Sequence, residues 1–267
     1  MNGPEQLADW LSRQRQAGAR VIGLNGAQGS GKSTLAAQLQ ALLRQRHGLR
    51  AVVLALDDLY LPRAERERLA RQVHPLLRTR GVPGTHEVAL GINLLEELAV
   101  STGPVRVPSF VKAIDDRAPE TAWHCVPAPA DLVLFEGWCV ATPAQDEAAL
   151  RQPLNELEAR EDADCRWRRW VNEQLATAYP PLFRRIDRTV FLQAPDFDSI
   201  FRWRMQQEAQ NVRTAGGGAA AMDPAALRRF IQHYERLTRH ALEVMPAGAD
   251  AVITLGAKHE WRELQLR

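Results

Sequence analysis

The stretch Gly26-Ala27-Gln28-Gly29-Ser30-Gly31-Lys32-Ser33 constrains this chain more than any other part of it. It follows an apolar run, Ala19 to Asn25, that reads as a buried strand. It opens a segment, Lys32 to His47, in which Leu35, Leu39, Leu42 and Leu43 recur at helical spacing and Gly48 stands as the C-terminal cap. A GxxxxGK[ST] turn between a strand and a helix is a phosphate-binding P-loop. Glycines permit the tight turn, successive backbone N–H groups then point inward, and the helix N-terminus adds partial positive charge. Lys32 is expected to reach the β- and γ-phosphates and the Ser33 hydroxyl to take a Mg²⁺ site. ATP and Mg²⁺ are therefore the expected cofactors, with Gly26 through Ser33, and Thr34 after them, as the nucleotide contacts.

The rest of the chain repeats the alternation. Apolar runs at Arg50–Leu56, Asp131–Phe135, Thr189–Leu192 and Ala251–Leu255 read as strands, the last of them closing the pattern. Helices are expected at about 4–17, 63–72, 88–101, 197–212 and 223–244, with an interrupted helical stretch over 143–183. A further strand is expected near Val105–Val107. Apolar strands separated by helices predict a parallel sheet covered on both faces. The expected class is α/β, a three-layer P-loop fold with a mostly parallel sheet, flanking helices and a helical lid, in one domain over 1–267. Two polar, Pro- and Gly-punctuated stretches, about 61–87 and 108–129, read as loops beside an acceptor site. The Gly-rich run 215–221 lies between two helices, where a lid over about 201–230 is expected.

In an open parallel sheet, ligands bind beyond the carboxyl ends of the strands. Two strands deliver acids there. Asp57-Asp58 ends the second and Glu136 the third, and phosphoryl transfer to an alcohol needs both a proton acceptor and a carboxylate beside the metal. Alternation along a strand lets only one of Asp57 and Asp58 face the phosphate; Asp57 is the expected base. No Asn-Lys-x-Asp guanine-reading tetrapeptide occurs, and Lys112-Ala113-Ile114-Asp115 has the wrong spacing, which argues against a GTPase switch. A net charge of +2 on 267 residues implies no nucleic-acid partner. Three scattered cysteines form no metal-ligand or CxxC spacing. No secretory signal is read at the N-terminus, and no run of about 18 apolar residues would span a bilayer. The expectation is a cytoplasmic protein acting on a small molecule.

With these residues assembled, the chain resembles the plant-type D-glycerate 3-kinases, in the phosphoribulokinase and uridine kinase branch of P-loop kinases. The blocks that carry the likeness are Gly26–Thr34, Leu56-Asp57-Asp58-Leu59-Tyr60-Leu61, and His74 to Leu77 with Arg80 to His86. Val107 to Lys112 with Asp116-Arg117, Leu134 to Trp138, and Phe201 to Glu208 complete them. The resemblance implies Asp57 as catalytic base and Glu136 as the Mg²⁺-side carboxylate. It also implies that a lid arginine, Arg202 or Arg204, stabilises the transferring phosphoryl group. Two apart on a helix, these arginines do not share a face; Arg213 is a third candidate. Departures occur at Ala113–Arg117, where the family often has a Gly-Arg-Gly-Asp-Arg-like stretch, and at Glu87, where it often has Asp. A carboxylate-bearing acceptor needs cationic partners, and Arg80, His86, Lys112 and Arg117 are the candidates, with Tyr60 lining the pocket. A nucleoside, pantothenate or sugar phosphate acceptor stays open, as does a partner-regulated ATPase. Phe197, Phe201 and Trp203 read as packing.

Overall fold

The computed structural model describes residues 3–214 and 223–267. The Gly-rich run 215–221, and with it the centre of the expected lid, lies outside the described residues, as does the side chain of Arg213. In chain order, helix α1 (Gly3–Gln16) leads to strand β1 (Val21–Gly26), helix α2 (Lys32–His47) and strand β2 (Ala51–Ala55). Helices α3 (Arg63–Gln72) and α4 (Val88–Val100) precede the short strands β3 (Val105–Val107), β4 (Phe110–Val111), β5 (Asp116–Arg117) and β6 (His124–Val126). Strand β7 (Leu132–Gly137) is followed by helices α5 (Glu156–Glu161), α6 (Arg166–Thr177) and α7 (Pro180–Phe183). Strand β8 (Arg188–Gln193), helices α8 (Phe197–Thr214) and α9 (Pro224–Gly248), and strands β9 (Ala251–Leu255) and β10 (Trp261–Leu266) complete the order.

The main sheet runs β10-β9-β8-β1-β7-β2, parallel throughout except for β10. Each residue of β1 and β7 is buried, as a strand covered on both faces requires. Alternate residues divide between the faces. Ile22, Leu24, Leu132 and Leu134 pack with Leu7 and Leu11 of α1 and with Leu35 and Leu39 of α2. Val21, Val133 and Phe135 pack on the other face with Leu94 and Leu98 of α4 and Leu182 of α7. This makes the expected three layers.

Register decides where the site falls. Leu24 lies opposite Glu136, Glu136 opposite Ala55, and Gly26 opposite Leu192. The ends of β1, β7, β2 and β8 therefore meet at one edge of the sheet.

Three expectations are corrected. The chain does not close on β9: β10 pairs antiparallel with it, and its Trp261 packs at Gly3 of α1. The charged alternation of β10 (Trp-Arg-Glu-Leu-Gln-Leu) belongs to an exposed edge strand, for which an apolar run is not required. The stretch 108–129 is not plain loop, because β4 pairs with β5, and β6 pairs with β3 away from the main sheet. Asp57-Asp58 does not end β2; it lies in a one-turn 3₁₀ helix, Leu56–Leu59, just beyond it. There the alternation argument does not apply.

Candidate active site

Two glycines of the P-loop adopt the left-handed backbone that L side chains avoid, Gly29 with φ 77° and Gly31 with φ 87°. A Cβ at Gly26 would lie 2.7 Å from Ser30 Oγ and 2.9 Å from Leu192 Cβ, so only glycine closes the turn there. Within the loop, Ser30 N–H donates to Ala27 O and Leu35 N–H to Gly31 O, which starts α2. The buried Ser30 Oγ and Gln28 Oε1 have no partner among the described residues. The unpartnered Ser30 hydroxyl, which can donate, beside the N-terminus of α2 fits an oxyanion-rich group such as the ATP phosphates. Thr34 follows in the first turn of α2, exposed.

The Ser33 hydroxyl donates to Glu136 Oε1 at 2.5 Å, and Lys32 Nζ is 4.0 Å from Glu136 Oε2. Glu136 is buried at the end of β7. Two hard oxygen donors converging beside a P-loop lysine are the donor set that Mg²⁺ takes, with waters and phosphate oxygens filling its remaining positions.

Asp57 lies within the influence of Lys32. Lys112 Nζ, on the β4–β5 hairpin, is 3.0 Å from Asp57 Oδ2, and the Tyr60 hydroxyl donates to Asp57 Oδ1 at 3.1 Å. Burial pushes the Asp57 carboxyl up. The Lys112 and Lys32 cations outweigh that and hold it below its ordinary value, so it is a carboxylate near neutral pH. Asp58 is engaged otherwise: its Oδ1 accepts the Phe110 N–H at 3.0 Å, which pins β4 to the 3₁₀ turn.

The sequence-expected acceptor residues divide. Tyr60, buried, stacks on the His86 ring at 4.6 Å and meets Phe110 edge-on. Arg80 pairs with Asp115 and lies over the Phe110 ring at 5.2 Å, while its carbonyl accepts from the Tyr234 hydroxyl of α9. Tyr234 also interacts with the Gln28 side chain, so the acceptor loop abuts the P-loop through α9. Arg117 is committed elsewhere. It pairs with Glu87 and donates to Tyr60 O at 2.7 Å and Leu59 O at 3.2 Å, which ties the hairpin to the 3₁₀ turn.

Arg202 and Arg204 diverge as their spacing requires. Arg202 is exposed and donates to Ser199 Oγ at 2.7 Å. Arg204 is largely covered, pairs with Glu208 at 3.6 Å, and its backbone N would lie 3.5 Å from a Cβ at Gly29, so its helix rests on the P-loop. Trp203 is buried in the core, a packing residue as expected, and it packs at Gly29 and anchors a residue the sequence does not mark. His259, in the turn before β10, stacks on Trp203 at 4.2 Å, and its Nε2 is 2.7 Å from Gly29 O. Nothing local to His259 marks it, since its partner lies 230 residues away.

The chain is similar to other proteins over most of its length. A kinase of Schizosaccharomyces pombe named only as uncharacterized kinase mug58 is 34% identical over 247 residues, 86% of this chain and 84% of that one. The chain belongs to the plant-type D-glycerate 3-kinase family. The chloroplastic D-glycerate 3-kinase of Arabidopsis thaliana is 28% identical over 244 residues, 86% of this chain, which spans 50% of that longer protein. The solved D-glycerate 3-kinase of Cryptococcus neoformans shares the fold over the full length of both chains, with TM-score 0.83 at 23% identity. Pantothenate kinases share a shorter stretch; that of Nitrobacter hamburgensis is 31% identical over 44% of this chain and 35% of its own. No protein-family model matches the sequence. None of the described helices is long and apolar enough to cross a membrane.

Proposed function

We propose that this ATP-dependent small-molecule kinase transfers the γ-phosphoryl group of ATP to a hydroxyl of D-glycerate, giving 3-phosphoglycerate. One observation carries the reading: a carboxylate, Asp57, held between Lys112 and Tyr60 and within the influence of the P-loop lysine, which itself adjoins the Ser33–Glu136 pair. Asp57 accepts the acceptor's hydroxyl proton as the oxygen attacks phosphorus. Lys32 and Arg204 offset the charge on the transferring group, and Ser33 and Glu136 would hold Mg²⁺, which would supply further positive charge against the phosphates. Lys112 and Arg80 supply the cations that a small carboxylate-bearing acceptor requires. Arg202, exposed on α8, and Arg117, bound to Glu87 and to carbonyls, are assigned supporting roles.

In this reading the whole chain acts as one kinase unit, with acceptor loops at about 61–87 and 108–129 and a lid at about 201–230. Three free thiols, Cys125, Cys139 and Cys165, suit a reducing compartment, and we assign the protein to the cytoplasm. The test is ADP release with Mg-ATP and a panel of D-glycerate, L-glycerate, pantothenate, uridine and a pentose phosphate. D-glycerate is expected to give the highest kcat/KM. Turnover of pantothenate or a nucleoside in its place would reassign the acceptor, and hydrolysis indifferent to every alcohol would remove the kinase reading.

A further inference from the structure

His86 carries an unused hydrogen-bond donor at the proposed acceptor pocket, and its protonation state follows from counting protons around Tyr179. The ring is buried, 4% exposed, between Tyr60 on one face and the Tyr179 ring edge-on at 5.9 Å. His86 Nδ1 is 2.6 Å from the Tyr179 hydroxyl, and that same oxygen accepts the Gly84 N–H at 2.9 Å. Tyr179 is wholly buried, and no acceptor other than His86 Nδ1 is recorded for its single proton among the described residues. Were His86 Nδ1 to carry the ring proton, the phenolic O–H would be left unpaired in a dry interior, at a cost of about 1–3 kcal/mol. With the Tyr179 O–H donating to Nδ1 instead, both groups are satisfied. The ring proton then sits on Nε2.

Nε2 is buried and has no partner among the described residues. It lies on the ring edge away from Tyr179, and the Tyr60 ring beneath it sends its own hydroxyl to Asp57. The Tyr60 residue that His86 stacks on and bridges to is the one bonded to Asp57, which puts the free N–H beside the carboxylate. Burial holds the imidazole's pKa down to about 3, so the ring is neutral near neutral pH.

We propose that Tyr179 is a positioning residue that fixes His86 as the Nε2–H tautomer, and that His86 donates this hydrogen bond to an oxygen of the acceptor. A neutral, rigid donor selects for an acceptor oxygen at one place, where a lysine would tolerate any anion nearby. The inference rests on reading this pocket as the acceptor site. Glycine at position 84 belongs to the device, because any Cβ there would lie 2.2 Å from the Trp170 ring, so the Gly84 N–H can approach Tyr179 only without a side chain.

Two measurements test it. The first needs no substrate: ¹⁵N NMR of histidine-labelled protein should show His86 as Nε2–H, and Tyr179→Phe should convert it to a tautomer mixture. A spectrum showing Nδ1–H in the wild-type protein overturns the proposal, whatever the acceptor proves to be. The second is steady-state kinetics with whichever alcohol of the panel turns over. His86→Leu should raise the acceptor KM about 10- to 100-fold with the ATP KM unchanged, and His86→Gln, which keeps an N–H donor, should recover most of that loss. Tyr179→Phe should raise the acceptor KM by a smaller factor. An acceptor KM within twofold of wild type in both His86 variants, or acceptor and ATP KM rising together, overturns it. Should His86→Leu fail to fold, His86→Gln and Tyr179→Phe carry the kinetic test, each checked by circular dichroism. If D-glycerate is not phosphorylated but pantothenate is, the D-glycerate assignment fails while this inference is still decided.

Discussion

Asp57 depends on its neighbours for the state in which it can act. Burial alone would raise its carboxyl, and the Lys112 cation is the largest opposing influence. Replacing Lys112 by Ala therefore removes a force that favours the carboxylate. The acid limb of kcat/KM should move to higher pH, while Asp57→Asn should lower kcat about 10²- to 10⁴-fold and leave ATP affinity nearly unchanged. A pH–rate profile from 5 to 9 reads the first, and titration with a fluorescent ATP analogue the second. An acid limb that stays in place in Lys112→Ala would mean that another group limits the rate. The two α8 arginines make a sharper comparison. The Arg204 guanidinium is largely covered and lies near Tyr234, which meets Gln28 of the P-loop, whereas Arg202 is exposed, so Arg204→Ala should cost about 10²-fold or more in kcat, the scale of losing one transition-state donor, and Arg202→Ala only a small factor. Equal losses would remove the distinction.

At the scale of elements, the P-loop is braced from the far end of the chain. His259 Nε2 meets Gly29 O, Trp203 packs at Gly29, and the Trp203 indole donates to Ala257 O at 2.8 Å. Such a brace fixes the orientation of the Gly29–Ser30 peptide, whose N–H donates to Ala27 O and so holds the turn of the P-loop. His259→Ala should raise the ATP KM several-fold and leave the acceptor KM alone, with a melting temperature close to wild type. Gly29→Ala should do more. Its left-handed φ alone costs about 1–2 kcal/mol, and its Cβ would press Trp203 Cβ at 3.1 Å. Isothermal titration with ATP separates the two from variants that merely unfold. The helices of 143–183 have a comparable task on the other side. Glu158 pairs with Arg236 of α9 at 2.6 Å, Asp162 pairs with Arg168 at 2.7 Å, and Trp167 packs with Leu76, Leu77 and Val82. That segment thus holds the loop that carries Arg80 and His86.

For the whole molecule, the buried ionisable groups define a pH window of stability. Burial takes His86 to about 3 and His233, on α9, to about 4. Both are neutral when folded, whereas unfolded histidine takes a proton near 6.5. Between those values the unfolded chain binds more protons, so stability falls as the solution is acidified below 6.5, by about 1.4 kcal/mol per pH unit for each histidine. Buried Tyr60, Tyr179 and Tyr234 are pushed above 10, so they favour the folded state below pH 10 and lose that contribution above it. Thermal melts from pH 4 to 11 should show a plateau between about 6.5 and 10 that declines on both sides. Replacing His233 by Gln should flatten the acid side by about one histidine's share, and an unchanged acid slope would refute that assignment.

How much was legible in the sequence follows from the range of each interaction. The P-loop, α2 with its Gly48 cap, α3 and the apolar strands are set by patterns within a few residues, and those bounds agree closely with the structure. Asp57, Glu136 and Ser33 could be named because each follows a strand whose apolar run announces it. Their convergence required the sheet's register, which brings Ser33 and Glu136, 103 residues apart, to 2.5 Å. Strand β10 was missed because an edge strand needs only one partner and can be charged, and Asp57-Asp58 was misplaced on a strand because a single 3₁₀ turn leaves no periodicity. The bracing by His259 and the fixing of His86 by Tyr179 were decided only by the tertiary structure, across 230 and 93 residues. The sequence by itself determined a phosphate-binding α/β kinase scaffold, because backbone turns and strand burial are local. Which arginine's backbone rests on the P-loop, which aspartate meets Lys112 and which histidine nitrogen faces the pocket were left to packing between distant segments.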